Sequence, residues 1–397
     1  MTDTRPFSGI RVIDLTHVLA GPFATYQLAV LGAEVIKIED PNDPDQSRGL
    51  GTDPELNKRG MGTNFLTQGS NKKSMTLNLK TEGGRAILKR MVKTADVFVE
   101  NYRPGAFEAL GLGYRDLAQI NPRLIYCSMS AFGQDGPRRE HTAYDFVIQA
   151  TSGLMGMTGT PQVNPLKCGA SVVDYATGAM GAFALSSALF QRSQTGKGQH
   201  IDLAMFDVAM ILMSSNLTGY LHNGVEPKPS GNAMAFSTNS CYDTGGGALA
   251  LGASNIGQQR RLWEALGHPE MVKADNAARD ADRKRETALL TDILKSRSAD
   301  AWEAFFQEHH VPAARVRRMS EALADPQRMA RGVVHKHQHV PALEKSLEVP
   351  VTAFKFDHGG ASVETPPHEM GADTDTVLAA LGYSADEIAE LRTLRAV

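Results

Sequence analysis

Apolar residues fall in short dense runs along the first two hundred positions, each bounded by turn residues and separated from the next by an amphipathic stretch. Residues 9–15, Gly-Ile-Arg-Val-Ile-Asp-Leu, read as a buried strand, and residues 33–39, Ala-Glu-Val-Ile-Lys-Ile-Glu, as a second. Between them Pro22 stands where a missing amide is harmless to a helix and Gly32 where a left-handed cap is wanted, so the pattern predicts a strand–helix–strand unit. The alternation continues with a strand over 74–79, a helix over 81–94, a strand over 97–100, a helix beginning near Pro104, a strand over 124–130, an apolar helix over 179–191 and a strand over 200–204. Strands spaced by helices of this length make a parallel sheet with right-handed crossovers, so residues before about 200 predict one doubly wound layer.

The pattern changes at residues 222–231, a polar Pro/Gly-rich stretch that reads as a linker. Beyond it a strand over 248–253 follows the turn 243–247, and charged amphipathic helices fill 258–266, 280–296 and 299–309, predicting a smaller α+β domain. The tail has an extended segment over 349–356 and helices over 375–381 and 385–394, each with one apolar stripe that must dock on something.

Composition narrows the function classes. The chain has 397 residues, 42% hydrophobic and 21% charged, with a net charge of −3, so no basic field argues for nucleic acid. Cys127, Cys168 and Cys241 are scattered and lack metal-ligand spacing, which fits a reducing compartment and makes the cytoplasm the expected location. The apolar stretches 179–190 and 203–213 are shorter than a bilayer requires, and no membrane span is expected. The loop after the first strand, Thr16-His17-Val18-Leu19-Ala20-Gly21, sits where open parallel sheets bind their ligands. It lacks G-x-G-x-x-G, so the dinucleotide reading invited by Glu39 and Asp40 fails. Gly196-Lys-Gly198 is not a P-loop, because Gln191 stands at the first glycine and a helix precedes it. His335, His337 and His339 alternate on one strand face with no accompanying carboxylate, which predicts a solvated face and no metal site.

Several segments together carry a resemblance: residues 9–22, 32–39, Asn71-Lys-Lys-Ser74, Leu77-Asn-Leu-Lys80, residues 99–105, Tyr144-Asp145, Gln149–Gly153, Gly169–Asp174, Thr195–Gln199 and the tail 371–382. In this order they resemble the class III CoA-transferases, the CaiB/BaiF or formyl-CoA transferase family, over nearly the whole chain. The resemblance implies a Rossmann-like, parallel-sheet large domain built from both chain ends (1–200 and 335–397), a small α+β domain (231–325) and linkers at 201–230 and 326–334. It also implies an interlocked homodimer, with the linkers passing around the partner, and coenzyme A as a substrate, carried as acyl-CoA, with no tightly bound cofactor. The partners are then acyl-CoA, small carboxylic acids and a second copy of the chain.

By the same resemblance Asp174 is the nucleophile. Its position just before the expected helix favours an ionised carboxylate, although such an aspartate is as readily a simple helix cap. His17, Val18, Leu19 and Ala20 match the segment that contacts CoA and holds the thioester oxygen. Leu77, Asn78, Leu79, Lys80, Asn101, Tyr102, Arg103, Ala143, Tyr144 and Asp145 match CoA-binding stretches, with Lys72, Lys80 and Arg103 available to neutralise anions. Arg48, Arg103 and Tyr144 are candidates for the substrate, and Arg138 and Arg139 are equally available. The chain departs from the family at Asp40 and Ala109, where basic residues are expected, and at Asp373, and Gly245–Gly247 reads as an ordinary hairpin turn and not as the family's lid. The implied reaction moves CoA between carboxylic acids, succinyl-CoA or another small dicarboxyl-CoA being the natural donor, through an aspartyl anhydride and an aspartyl-CoA thioester. Two alternatives remain: an α-methylacyl-CoA racemase, disfavoured because Tyr144 stands where that enzyme has a histidine base, and a catalytically silent CoA-binding protein, disfavoured by Asp174.

Overall fold

A computed structural model of the chain describes residues 4–397. Six parallel strands, β1 (Arg11–Leu15), β2 (Glu34–Glu39), β3 (Lys72–Thr76), β4 (Val97–Glu100), β5 (Ile125–Ser130) and β6 (Gln199–Ala204), form one sheet in the order β3-β2-β1-β4-β5-β6. This is the doubly wound order, and the strand sequence reverses between β1 and β4, so the crevice for a ligand lies beyond Leu15 and Glu100, which pair in register.

Alternation along the strands builds the two faces. Ile13, Leu15, Ile36, Ile38 and Phe98 point to one side, onto Ile87, Leu88 and Met91 of the Glu82–Val92 helix. The same side takes Val377, Leu378 and Ile388 of the C-terminal helices Thr374–Ala380 and Ala385–Thr393, whose apolar stripes thereby find their docking surface. Val12, Val35, Val97 and Val99 point to the other side, onto Ala24 and Leu28 of the Ala20–Val30 helix and Leu185 and Ala188 of the Val172–Thr195 helix.

Those last two helices touch through small residues. A Cβ on Gly178 would lie 2.6 Å from the Ala20 carbonyl oxygen, and one on Gly181 would lie 3.1 Å from Ala24 Cβ. The Val172–Thr195 helix is longer than the expected 179–191 and, by length and composition alone, long and apolar enough to cross a membrane. Its inner face nevertheless belongs to the core of this layer, and Arg192 near its end reaches Asp96 at 2.8 Å.

The chain divides into two compact units. The first runs to Leu154 and includes Lys167–Val225 and Met329–Val397; the second comprises Met155–Leu166 and Glu226–Arg328. The expected linker 201–230 is corrected over most of its length: β6 runs to Ala204, and the helices Met205–Leu212 and Ser214–Asn223 follow. Met205 and Ala209 are drawn into a core with Ile148 and Val173, which is why this stretch folds onto the first unit. Residues 326–334 are likewise ordered, as the helix Pro326–Arg331 leading into a hairpin of β10 (Val334–Val340) and β11 (Lys345–Pro350). His337 on β10 is not solvated as the strand pattern implied, because Ser70, just beyond the Thr63–Gly69 helix, covers it and hydrogen-bonds its ring at 3.0 Å.

The second unit has an antiparallel sheet of β7 (Asn239–Asp243), β8 (Ala248–Gly252) and β9 (Ala313–Arg315), packed on helices through Leu249, Leu251, Trp263, Leu290, Trp302 and Phe306. Gly245–Gly247 lie in the turn joining β7 to β8, where Thr244 N–H donates to the Gly247 carbonyl at 2.9 Å.

Candidate functional site

A cleft of about 560 Å³ opens at the carboxyl ends of β1, β2, β4 and β5. Its walls bring together His17, Val18, Leu19, Ala20, Lys80, Asn101, Tyr102, Arg103, Ala143, Tyr144 and Asp174, residues that span most of the first unit in sequence. Asp40, Asp43, Gln46, Ser130, Thr177 and Met205 also line it.

The loop after β1 is held from every side. The Asn101 side chain accepts the His17 N–H at 2.8 Å and donates to the His17 carbonyl at 2.9 Å. Asp45 accepts the Val18 N–H at 2.9 Å and Gln68 donates to the Val18 carbonyl at 2.8 Å. Leu19 and Ala20 differ: at the start of the Ala20–Val30 helix, their N–H groups meet no acceptor among the described residues. They are the donors this loop leaves for a ligand oxygen, as the first amides of a helix must be. Gly21 is required here, because a Cβ would fall 2.4 Å from Cβ of the buried Thr16.

His17 Nε2 shares a 2.6 Å hydrogen bond with the Tyr102 hydroxyl. Burial, helped by Lys37, pushes the His17 pKa down, and burial pushes Tyr102 up to about 12, so both are neutral at neutral pH. Beneath them Glu100 accepts the Tyr102 N–H at 2.8 Å, and burial raises its carboxyl to about 7.

Asp174 lies inside the first turn of the Val172–Thr195 helix and not before it. The expectation that helix amides would favour its ionised form is corrected, because another carboxylate has taken them. Asp145 Oδ2 accepts the N–H groups of Val173 at 2.7 Å and Asp174 at 3.0 Å, while Gln149 donates to its Oδ1. Burial and the Asp145 charge raise the Asp174 carboxyl to about 7. Asp145 itself is buried and is not among the residues lining the cleft; its carboxylate is engaged in this capping arrangement.

Other expected site residues are also placed elsewhere. Leu77 belongs to the core, Leu79 packs against it, and Asn78 donates to the Arg395 carbonyl at 3.1 Å, so this segment anchors the end of the chain. Lys72 is buried against Asp14 at 2.9 Å. Arg48 is buried in a two-pronged pair with Glu39, both contacts 2.7 Å, and is unavailable to a substrate. Arg139 pairs with its neighbour Glu140 at 2.9 Å, and neither it nor Arg138 lines the cleft. Arg103 does, and it forms no ion pair among the described residues. Lys80 reaches the cleft and bridges to Asp40 at 3.1 Å.

Sequence reasoning passed over Asp45 and Thr177. Asp45 closes the polar turn after β2, on the same sheet edge as the His17 loop, and that position was the available signal. Thr177 lies one helical turn beyond Asp174, fully buried, with a hydroxyl that has no hydrogen-bond partner among the described residues.

The chain matches the family model described as CoA-transferase family III over residues 7–374. It is 38% identical over 392 residues to the succinate–glutarate CoA-transferase of Agrobacterium fabrum, covering 95% of this chain and 96% of that one. It is 34% identical over 397 residues to the human succinyl-CoA:glutarate CoA-transferase, covering 98% and 90%. The crystal structure of a CaiB/BaiF family protein from Brucella suis superposes with a TM-score of 0.81 at 33% identity, covering 95% of this chain and all of the other. With a doubly wound sheet, a cleft at its switch point and an aspartate in the wall, the chain belongs to CoA-transferase family III and is a class III CoA-transferase.

Proposed function

We propose that the enzyme moves CoA from succinyl-CoA or a similar small dicarboxyl-CoA to a second small dicarboxylate such as glutarate, through covalent intermediates on Asp174. The observation that carries this reading is Asp174 in the wall of a cleft that also holds the free Leu19 and Ala20 amides.

A carboxylate oxygen of Asp174 attacks the thioester carbonyl carbon, the C–S bond breaks, and CoA leaves as the thiolate with an aspartyl–acyl anhydride behind it. The thiolate then attacks the aspartyl carbon of the anhydride, releasing the donor acid and forming the aspartyl-CoA thioester. The acceptor carboxylate attacks that thioester and expels the thiolate, which opens the second anhydride at the acceptor's carbon and regenerates Asp174. No bond energy is lost to water if the cleft excludes it. Negative charge develops on the carbonyl oxygen at each attack, and the Leu19 and Ala20 amides are the donors suited to receive it. Arg103 suits the far carboxylate of a dicarboxylic acid, and the names of the two relatives above support that substrate class.

The test is mass spectrometry of the Asp174 peptide after incubation with succinyl-CoA and then hydroxylamine, which converts an activated aspartyl group to a hydroxamate. Labelling at Asp174, lost together with turnover in Asp174→Ala, is the expected result. Absence of label alongside α-proton exchange into deuterated water would overturn it in favour of racemase chemistry.

We also read the chain as an interlocked homodimer. Phe183, Phe190, Ile211 and Leu221 are large apolar residues left exposed on the Val172–Asn223 helices, which supports a covered face. Sedimentation of a monomer at micromolar concentration would contradict this. The cysteines are unpaired and Cys127 is buried, which suits a reducing compartment, and we assign the enzyme to the cytoplasm.

A further inference from the structure

Val18 has a φ of +70°, a left-handed conformation that a β-branched residue adopts only when its surroundings impose it. The imposing group is identifiable. The Asp45 carboxylate, 1% exposed, accepts the Val18 N–H through Oδ1 at 2.9 Å and takes the Lys37 ammonium through Oδ2 at 2.9 Å. Lys37, 3% exposed, donates at the same time to the Thr16 carbonyl at 2.7 Å, so the ion pair grips the loop on both sides of His17, at the Thr16 carbonyl and the Val18 N–H.

Asp45 is braced in turn. Its own N–H donates to Glu39 Oε1 at 3.2 Å, and Glu39 is locked by Arg48. Its Oδ1 also accepts the Ser47 N–H at 2.9 Å. Buried charges are costly unless they are paired and hydrogen-bonded, and here each member of the pair also bonds backbone groups, Lys37 the Thr16 carbonyl and Asp45 the Val18 and Ser47 N–H groups.

We propose that Asp45 is a positioning residue for CoA transfer: paired with Lys37, it holds Val18 in its left-handed conformation and thereby aims the Leu19 and Ala20 amides into the cleft. The inference rests on the proposed role of those amides at the thioester oxygen. A turn of the loop at Val18 redirects the two N–H vectors that follow it, while Arg103, the group proposed for the far carboxylate, lies on a different loop, after β4. Loss of Asp45 should therefore fall on turnover and not on substrate affinity. An asparagine cannot replace it fully, since an amide that accepts the Val18 N–H turns its NH₂ group toward the Lys37 ammonium, donor against donor.

The experiment compares wild type, Asp45→Ala, Asp45→Asn and the double variant Asp45→Ala/Val18→Gly in steady-state transfer, using whichever acyl-CoA the wild type turns over. Failure of succinyl-CoA as donor would thus count against the substrate reading and leave this test intact. Asp45→Ala is expected to lower kcat about thirtyfold or more with KM for the acyl-CoA within about threefold, and Asp45→Asn to fall between it and wild type. Glycine adopts positive φ without strain, so the double variant should recover about tenfold over Asp45→Ala, a rescue that a general loss of stability would not allow. Wild-type kcat in Asp45→Ala, or a folded double variant no faster than the single one, would overturn the proposal. If Asp45→Ala does not accumulate as folded protein, the near-isosteric Asp45→Asn with and without Val18→Gly carries the same comparison.

Discussion

Asp145 accepts the backbone N–H of Asp174 at 3.0 Å while its own charge raises the Asp174 carboxyl. One carboxylate therefore fixes the position of the other and also makes it harder to ionise. Asp174, raised to about 7 by burial and then by Asp145, has to lose its proton to act as the proposed nucleophile, so turnover should climb with pH and level off above about 7. In Asp145→Asn the charge is gone but burial remains, and the acidic limb of the pH–kcat profile should move down without reaching ordinary aspartate behaviour. A profile unmoved by this substitution would separate the limb from Asp174.

The same shift has a stability consequence. The folded value, about 7, lies above the unfolded value of 3.8, so between them the native state holds a proton the unfolded chain has released. The contribution is complete below the unfolded value and is lost as pH rises through the folded one. Asp174→Asn, which has no charge to bury, should therefore gain stability relative to wild type as pH rises from about 4 to about 7. Thermal melts of both proteins across that range check the sign.

Thr177, near Asp174, carries a buried hydroxyl with no partner among the described residues, an arrangement that costs stability in the free enzyme. Thr177→Val should raise stability by about 1 kcal/mol by removing the orphaned hydroxyl and, if that hydroxyl turns to a bound acyl group, reduce kcat/KM about tenfold. Melting temperature and steady-state kinetics moving in these opposite directions would mark it as a functional group; a variant both more stable and fully active would not.

Arg48 is bonded by both prongs to the buried Glu39. Arg48→Ala leaves that carboxylate unpaired and should destabilise the fold by about 3–5 kcal/mol. Denaturant unfolding tests this, and the loss should shrink in Arg48→Ala/Glu39→Gln.

Gly178 lets two helices meet. A Cβ there would stand 2.6 Å from the Ala20 carbonyl and 2.8 Å from Phe23 Cδ1, and backbone cannot simply step aside. Gly178→Ala should cost about 1–3 kcal/mol and lower kcat as well, since the displaced helix carries Asp174 and its neighbour carries Ala20. Urea midpoints and turnover on the same preparation provide the check.

The order of strands and helices was legible in the chain itself. Dense Val and Ile runs in β1, β2 and β4, and Pro22 and Gly32 at the ends of the first helix, express preferences acting within a few residues, and those survive into the fold. The cleft's location followed from the sheet, because a doubly wound sheet leaves its crevice at the switch point whatever the side chains. Asp174 and the loop from His17 to Ala20 could be named from the motifs.

What each side chain does there was decided only by tertiary structure. Asp145 comes from 29 residues upstream to cap the Asp174 helix, and no local pattern says that it takes the amides a nucleophile was expected to use. Arg48 and Lys72 carry the charge expected of anion-binding residues, yet Glu39 and Asp14 hold them in the interior. Asn78 is claimed by the far end of the chain, at Arg395. The division has one physical cause: backbone preference and hydrophobic period are short-range and written in consecutive residues, whereas burial, charge pairing and the pKa values they set depend on groups that meet only after the chain has folded.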